Sequence, residues 1–349
     1  WLGDRTTDLM GLSVADFDGN GSLDVYSTDI TADTLFSGIE GGGFNNVYLD
    51  ALSGGTDSSA IMTGWGCAFI DADNDGDPDV MTVSSFDVDW YLNSGTFRMG
   101  ALVMLENNGM GGLTELDDSV GDDFGTPLDG QGLAVGDLNL DGKLDVVVAL
   151  DEQPGLEIFP AQPTKTGVLL LQNNGERATN NQFMRLDLRQ TGGNHWAVGS
   201  IVEVQAPGVR TTRVVTAGES YRSSHDMQLH FGLGTNTEAT VEVQWPDGKR
   251  ESFTKVPAGH QRIIRGEGVK AGGIRDGIVF KQPDCHGDCL ACDPVCKRFD
   301  DCNQLSQLSV STLAQCVSVC KADPLSYEES SCIESAECST LFSCLSDEE

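Results

Sequence analysis

Three short acidic segments share one arrangement of residues whose chemistry suits a bound cation. They read DFDGNGSLD from Asp16, DADNDGDPD from Asp71 and DLNLDGKLD from Asp137. Each has an oxygen-bearing side chain at positions 1, 3, 5 and 9 and a glycine at position 6. Ca²⁺ binds about six to eight oxygen atoms, and a tight loop turns alternate side chains toward one point. We therefore predict three Ca²⁺ loops with these candidate ligands: Asp16, Asp18, Asn20, Ser22 and Asp24 in loop one; Asp71, Asp73, Asp75, Asp77 and Asp79 in loop two; Asp137, Asn139, Asp141, Lys143 and Asp145 in loop three.

Position 7 of each loop is predicted to bind the ion through its backbone carbonyl. Lys143 occupies this position in loop three, and because an ammonium group has no lone pair to offer a cation, its side chain is expected to point outward. The glycine at position 6 allows the backbone conformation that folds each loop back on itself. Loop two has four side-chain carboxylates at positions 1, 3, 5 and 9, where loops one and three have three each. We therefore predict that loop two binds Ca²⁺ most tightly.

The loops differ from an EF-hand, which closes with a glutamate at position 12 and lies between two helices. Position 12 here is Ser27, Thr82 or Val148. The flanking runs, such as LDVVVAL at the end of loop three, are rich in β-forming residues. The predicted arrangement is strand, loop, strand. Turns formed by Asp, Asn and Gly without an ion are the alternative, but three copies of one pattern favour Ca²⁺.

Composition and charge limit the classes of partner. The chain has 349 residues with 54 acidic and 21 basic side chains, a formal net charge of −33. Phosphate would be repelled, so nucleic acid and anionic membranes are excluded as main partners. No apolar run approaches the roughly 20 residues of a membrane span. The charge is uneven: residues 1–180 have a net charge of −26, residues 181–268 of +1 and residues 269–349 of −8, which indicates three structural units.

Residues 1–180 resemble the FG-GAP/VCBS repeats of integrin-like β-propellers. Besides the loops, the phrases MLENNG (Met104–Gly109) and LLLQNNGE (Leu169–Glu176) look like the strand-then-NNG turns of that family. The resemblance implies blades of four antiparallel strands, with about four to eight blades in a ring. Three loops imply a ring that is incomplete in this chain, unless blades without the motif are present. The expected partner is therefore the missing blades, preceding Trp1 in one precursor or supplied by another chain.

Residues 181–268 resemble the ASPIC/UnbV domain. The phrases that carry the resemblance are NHWAVGSIVEV (Asn194–Val204), LHFGLG (Leu229–Gly234) and VEVQWPDGK (Val241–Lys249). Alternating strand-like runs and turns predict an all-β, sandwich-like module. The order of the two domains is similar to that in cartilage acidic protein-like proteins. The family implies an extracellular module, and it brings no catalytic residues.

The four histidines of this second unit are predicted to make local hydrogen bonds rather than bind a metal. They are separated by 30, 5 and 30 residues, which matches no zinc signature. They are His195, His225, His230 and His260.

Two tryptophans and three arginines of the same unit could contact a ligand or a neighbouring domain. Trp196 and Trp245 are predicted to pack in the core or at its rim rather than form a sugar platform. Arg210, Arg213 and Arg222 are predicted to form a solvated face, with docking against an acidic neighbour as the alternative.

Ten of the 11 cysteines lie in residues 285–349, after a predicted Gly-rich linker at 269–284. An even, dense cluster predicts a disulfide-bonded module of an oxidising compartment, with helices such as Ser309–Lys321. Zinc or iron–sulfur ligation is the disfavoured alternative. This tail would anchor or cross-link the protein, or only stabilise it. Cys67 is the odd thiol and is expected to be small, buried and apolar in role.

The predicted fold is therefore mainly β: a partial FG-GAP-type propeller, a β-sandwich-like module and a small disulfide-rich helical module. No hydrolase, metalloprotease, P-loop or dinucleotide motif is present. The predicted function is non-enzymatic: an extracellular or cell-surface, calcium-binding protein for adhesion or structural assembly, with protein or glycan ligands. The acidic loops Asp87–Trp90 and Asp117–Asp123 are candidate contacts, with plain solvation as the alternative. A carbohydrate-binding propeller is the second hypothesis and a polysaccharide-cleaving enzyme the third.

Overall fold

The computed structural model describes residues 8–30, 32–53, 62–85, 100–116, 120–121, 123–124, 128–150, 167–178 and 180–271. These residues lie within one compact unit of the chain, Trp1–Ile278. They are mainly β, as predicted, and the one helix among them is the short α1 (Tyr48–Ala51). None of their helices is long and apolar enough to cross a membrane. The cysteine-rich tail, its predicted helix, the linker and the loop Asp87–Trp90 lie outside the described residues, as does part of Asp117–Asp123.

The first three sheets are blades whose strands follow one another in chain order. Blade one consists of β1 (Leu12–Ala15), β2 (Asp24–Ser27), β3 (Thr34–Gly38) and β4 (Phe44–Asn46). Blade two consists of β5 (Thr63–Ile70), β6 (Asp79–Ser85), β7 (Leu102–Asn107) and β8 (Leu113–Glu115). The described strands of blade three are β9 (Gly130–Gly136), β10 (Asp145–Leu150) and β11 (Gly167–Leu171). Every pairing in these sheets is antiparallel, so each loop joins the first two strands of a blade.

Residues 180–271, called here the β module, form two further sheets. One has the order β15 (Leu229–Gly234), β12 (Gln182–Arg189), β18 (Gly259–Ile264), β19 (Gly268–Ala271). The other has the order β14 (Val209–Val214), β13 (Ile201–Ala206), β16 (Glu238–Gln244), β17 (Arg250–Pro257). One core joins both sheets, as in a sandwich, and includes Leu186, Phe231 and Trp245. The five sheets together have a five-blade propeller arrangement.

Neighbouring blades share apolar cores, which set the relative positions of the loops. Tyr26 of blade one packs against Phe69 of blade two with ring centroids 6.3 Å apart, and fully buried Cys67 belongs to the same cluster. Burying one large apolar side chain contributes about 1.5–3 kcal/mol, so the cores hold the blades together. The first strands of blades two and three approach closely at Gly66, where a Cβ would lie 2.7 Å from Leu133 Cβ.

The β module also inserts a segment, residues 219–228, against the first strand of each blade. The amide of Ser220 donates to the Leu12 carbonyl at 2.7 Å, and its hydroxyl accepts from the Cys67 amide at 3.1 Å. His225 Nδ1 accepts from the Val135 amide at 3.2 Å. Residues from 153 positions away in the chain thus complete the backbone hydrogen bonding of the blades. Further blades before Trp1 stay a prediction.

Candidate metal centres

The same hydrogen bond shapes all three loops. The first carboxylate of each loop accepts from the amide of the glycine at position 6: Asp16 from Gly21 at 2.9 Å, Asp71 from Gly76 at 3.1 Å and Asp137 from Gly142 at 3.0 Å. Each of these glycines has a positive φ, between 84° and 103°, in the region where a side chain costs energy. The bond turns the loop back so that its alternate side chains face one another.

The carboxylate at position 9 braces each loop against its blade. Asp24 accepts from the amides of Phe17 at 2.7 Å and Gly38 at 2.7 Å. Asp79 accepts from Asn107 at 2.8 Å, and Asp145 from Asn173 at 3.0 Å. The donors Gly38, Asn107 and Asn173 lie on the third strand of their blades or just after it. The position-9 carboxylate therefore connects the loop to that strand as well as being a candidate ligand.

In loops one and two, the structure brings predicted ligands together. One atom each of Asp16, Asp18 and Asp24 lies within 4.8 Å of the others, and the same holds for Asp71, Asp73 and Asp75. Oxygens on opposite sides of one Ca²⁺ lie at most about 4.6–5.2 Å apart, because each is about 2.3–2.6 Å from the ion. Both groups are therefore compact enough to coordinate a single cation.

Each of these two clusters contains a buried carboxylate oxygen without a hydrogen-bond partner. These atoms are Oδ1 of Asp16 and Oδ1 of Asp71, and the two residues are only 1% and 2% exposed. A buried anion without compensation is costly. A divalent cation at the cluster would give both oxygens the partner that the protein does not supply, so the residues present fit a hard metal ion.

Burial changes the acidity of these groups in the ion-free protein. Loss of solvation raises the pKa of Asp16 to about 6 and that of Asp71 to about 7. It also raises the pKa of Asp24 to about 7 and that of Asp75 to about 6. Neighbouring carboxylates add to each increase, as Asp75 and Asp73 do for Asp71. Burial and the neighbouring negative charges disfavour the charged forms, as is common where carboxylates cluster at a candidate functional site.

Loop three has the same sequence pattern but different electrostatics. Asp137 is paired with Arg185, whose Nη1 lies 3.3 Å from its carboxylate, and both side chains are buried. The partly exposed Lys143 ammonium lies 3.1 Å from the carboxylate of Asp141 at position 5 of the same loop. Asn139 also donates to Asp141 at 3.0 Å. Within the described part of the chain, loop three forms no compact carboxylate cluster of the kind seen in loops one and two.

Two other predicted ligands, Asn20 and Asp77, have side chains engaged in other contacts. The Asn20 side chain donates to the Gly38 carbonyl at 3.2 Å, and its Oδ1 accepts from the Ser22 amide at 2.7 Å. Asp77 lies beside Gly109, where a Cβ would overlap its carboxylate. The side chain of Asp77 is thus directed toward the NNG turn, which leaves its carbonyl as the candidate ligand.

Sequence reasoning missed the role of the first asparagine in each NNG phrase. Asn107 Nδ2 donates to the carbonyls of Phe17 in loop one at 2.6 Å and Pro78 in loop two at 3.0 Å. Asn173 Nδ2 donates to the Ala72 carbonyl of loop two at 2.7 Å. These amides connect loop one to blade two and loop two to blade three. The repetition of the NNG phrase was the available signal.

The three arginines singled out in the β module differ: two are solvent-exposed and one docks against the acidic blades. Arg222 and Arg210 are exposed, as predicted, and Arg210 pairs with Glu203 at 2.9 Å. For Arg213 the solvated-face prediction is wrong. Its Nη1 donates to the Phe69 carbonyl at 3.2 Å. Burial lowers the pKa of Arg213, and the nearby carboxylates of Asp71 and Glu219 oppose that shift. The acidic blades attract this guanidinium into the interface, which corresponds to the docking alternative.

The tryptophans and histidines have structural contacts. Trp245 is 1% exposed and belongs to the core of the β module, as predicted. Trp196 lies at the rim, with the Arg189 guanidinium 3.3 Å from its ring centroid. His260 packs edge-on against Phe183, with ring centroids 5.1 Å apart.

Comparison with known proteins identifies relatives of part of this chain. Residues 190–271 match the family model described as ASPIC and UnbV. Cartilage acidic protein 1 of Homo sapiens is 30% identical over 123 residues, which are 35% of this chain and 17% of that protein. Its Xenopus tropicalis counterpart is 29% identical over 120 residues, 34% of this chain and 17% of that protein. The predicted resemblance to ASPIC/UnbV and cartilage acidic protein-like proteins is confirmed.

The similarity is partial, because the matched region spans only 17% of the length of these relatives. A solved structure of an Agrocybe aegerita lectin that recognises non-reducing terminal N-acetylglucosamine aligns over 72% of this chain and 81% of that chain. Its TM-score is 0.20 and its sequence identity 16%. At those values the alignment supports no conclusion about this protein.

Proposed function

We propose that this chain is a non-enzymatic, extracellular calcium-binding protein that acts in adhesion or structural assembly. In this proposal, Ca²⁺ bound by the loops stabilises the propeller arrangement and offsets the charge of the acidic blades. The observation that carries it is the orphaned, buried Oδ1 of Asp71 within a compact cluster of three carboxylates. The outward surface of the blades would then be available for a protein or glycan partner.

The donor atoms favour Ca²⁺ over other metals. Every candidate side-chain ligand in loops one and two is an oxygen atom, whereas zinc prefers nitrogen and sulfur ligands. Mg²⁺ requires nearly ideal octahedral geometry and keeps several waters. A loop that offers clustered carboxylates and a backbone carbonyl suits the larger, less demanding Ca²⁺.

The extracellular location is supported by two features of the chain. The β module matches the ASPIC and UnbV model, and the partial relatives carry the name cartilage acidic protein 1. The ten clustered cysteines of residues 285–349 are typical of proteins from oxidising compartments.

The loops are proposed to differ in affinity, in the order two, one, three. Loop two has the largest number of carboxylates, and loop one has a compact cluster of three. In loop three, Arg185 and Lys143 neutralise two of the carboxylates that an ion would use. An incoming Ca²⁺ must displace or tolerate these cations, which weakens binding.

Calorimetry and thermal unfolding of the intact chain test the proposal. A site that binds only the folded state adds about 2.7 kcal/mol when free Ca²⁺ is 100 times its Kd. We therefore expect the melting temperature to rise by several degrees with Ca²⁺ and to fall with a chelator. Asp73→Asn should weaken the tightest site, while Asp8→Asn, a change of an exposed acid outside the loops, should leave binding unchanged. Absence of binding heat together with a melting temperature insensitive to chelator would overturn the proposal.

A further inference from the structure

The three Ca²⁺ loops form the surface on which the β module rests. A Cβ added to Gly21 would lie 3.0 Å from Arg210 Nη2, and one added to Gly76 would lie 2.7 Å from Val209 Cγ1. A Cβ on Gly142 would overlap the Phe183 ring. The position-6 glycine of every loop is therefore in contact with a side chain of the β module. The loops need glycine there for close approach as well as for a positive φ.

Loop two is joined to strand β15 of the β module by hydrogen bonds. The amide of Gly232 donates to Asp71 Oδ2 at 2.8 Å, and the amide of Gly234 donates to the Asn74 carbonyl at 2.9 Å. His230 Nε2 lies 2.6 Å from Asn74 Oδ1. Asn74 is buried with φ of 60°, and its Nδ2 donates to the Gly142 carbonyl of loop three at 3.0 Å. Loop two thus has the β module on one side and loop three on the other.

These contacts involve a candidate ligand itself. The two amides of Gly76 and Gly232 hold Oδ2 of Asp71, and the other oxygen, Oδ1, is buried without a partner. Since one of the two donors comes from the β module, the orientation of this carboxylate depends on that module being in place.

We infer that the Ca²⁺ site of loop two is shared between blade two and the β module, with Gly232 as a positioning residue for Asp71. Calcium binding and docking of the β module are consequently linked. This inference rests on the proposed calcium-binding function and deepens it by assigning a regulatory role to one site. The second module of the chain is then held closed over the blades by Ca²⁺.

The physical basis is that calcium binding by loop two and docking of the β module are two equilibria that affect each other equally. The Gly232 amide fixes the Asp71 carboxylate before the ion arrives, so docking increases calcium affinity. By thermodynamic linkage, Ca²⁺ increases the stability of docking by the same factor. Without the ion, five aspartates at alternate positions of loop two, from Asp71 to Asp79, repel one another. Loop two is then less stable in the conformation that accepts hydrogen bonds from the Gly232 and Gly234 amides.

Substitution of a single glycine in the β module tests whether this module contributes to calcium binding by loop two. A Cβ at Gly232 would overlap Asp71 Oδ2 and lie 2.6 Å from Asn74 Cα, and Gly232 has no positive φ, so alanine is conformationally allowed. Gly193→Ala is the matched control, since Gly193 also has no positive φ and no atom lies within 4 Å of its Cβ position. We expect Gly232→Ala to weaken the tightest Ca²⁺ site at least tenfold and Gly193→Ala to leave it unchanged. Equal calcium affinity in folded Gly232→Ala and wild type would overturn the inference.

Asn74→Gly provides a second variant should Gly232→Ala not fold. Glycine keeps the positive φ of residue 74, which is not a ligand position, and removes the contacts with His230 and Gly142. The expected result is the same loss of affinity at loop two, with loop one unchanged. Wild-type affinity in this variant would also contradict the inference.

Hydrogen exchange of the intact chain measures docking directly. Ca²⁺ should increase the protection of the Gly232 and Gly234 amides at least tenfold over chelator, while the Val241 and Val243 amides in the core of the β module change little. If the wild type binds Ca²⁺ and these two glycine amides exchange equally with and without it, the linkage is wrong although the proposed function stands. If the wild type binds no Ca²⁺, the proposed function itself fails.

Discussion

Loops two and three have the same nine-position pattern and the same backbone fold, yet they differ in what compensates their charge. In loop two, Asp71 has an oxygen with no partner, and three carboxylates gather within 4.8 Å. In loop three, Arg185 pairs with Asp137 and Lys143 pairs with Asp141. The pattern therefore specifies the shape of a loop, whereas cations contributed by other segments decide how strongly it attracts a metal.

Matched substitutions of the first ligand should give the largest difference between the two loops. Asp71→Asn should weaken the tightest Ca²⁺ site about 100-fold, because a charged ligand is lost. In chelator, the same variant should melt at or above the wild-type temperature, because burial and the neighbouring carboxylates disfavour the charged form of Asp71.

Asp137→Asn should behave in the opposite way. It removes one of the two carboxylates that pair with the buried Arg185 guanidinium, the other being Asp226, so the protein should lose stability both with and without Ca²⁺. Thermal unfolding of both variants in Ca²⁺ and in chelator checks this. If Asp137→Asn destabilised the protein only in the presence of Ca²⁺, loop three would be a metal site of the same kind as loop two.

The pH dependence of the ion-free protein should give a shift of a few degrees. The folded-state pKa values of Asp24, Asp71 and Glu219 are raised to about 7 by burial, so the folded protein binds more protons than the unfolded chain. Stability in chelator should therefore increase as the pH falls from 8 through 7.

Below about pH 6.5, two buried histidines oppose this trend. Burial lowers the pKa of His225 to about 4 and that of His230 to about 3, so only the unfolded chain binds their protons at pH 5–6. These two histidines should make the rise in melting temperature in chelator shallower below pH 6.5 without reversing it, because the five carboxyl groups with pKa values of about 6–7 bind more protons in the folded state than the histidines bind in the unfolded chain. Saturating Ca²⁺ should suppress the rise between pH 8 and pH 7. A steady fall from pH 8 downward in chelator would contradict the assigned shifts.

The smallest expected effect is that of Lys143→Ala on the calcium affinity of loop three. Lys143→Ala removes a partly exposed ammonium 3.1 Å from Asp141. A pair of this kind contributes about 0.2–1 kcal/mol, so calcium affinity of loop three should increase by about two- to fivefold. Calorimetry resolves this best in the Asp71→Asn background, and Lys249→Ala, which alters an exposed lysine outside the blades, is the control. A decrease in affinity would show that Lys143 supports the loop rather than competing with the ion.

Much of the fold was predictable from local pattern. Alternation of apolar residues and the loop signatures placed a loop between β1 and β2, and likewise between β5 and β6 and between β9 and β10. The phrases around Trp196, Leu229 and Trp245 identified the β module, which the ASPIC and UnbV match confirms. Each of these sequence signals spans only a few residues, so local hydrogen bonding is sufficient to form the structure that the signal predicts.

The contacts that distinguish the sites were not predictable. Arg185 lies 48 residues after Asp137, and Gly232 lies 161 residues after Asp71. The burial of Arg213 against blade two likewise spans 144 residues, to Phe69. A single sequence does not reveal which distant charge or amide will meet a given carboxylate.

The amino-acid sequence by itself determined the three loop shapes, because the ligand spacing, the glycine at position 6 and the flanking β-forming residues act over about nine residues. It also determined that the chain is mainly β and strongly acidic. Only the tertiary structure decided that loop two has a buried carboxylate oxygen without a hydrogen-bond partner, that Arg185 pairs with loop three, and that the β module contacts all three glycines. The reason is that electrostatic energy and close packing depend on distances in space, which the order of residues along the chain does not contain.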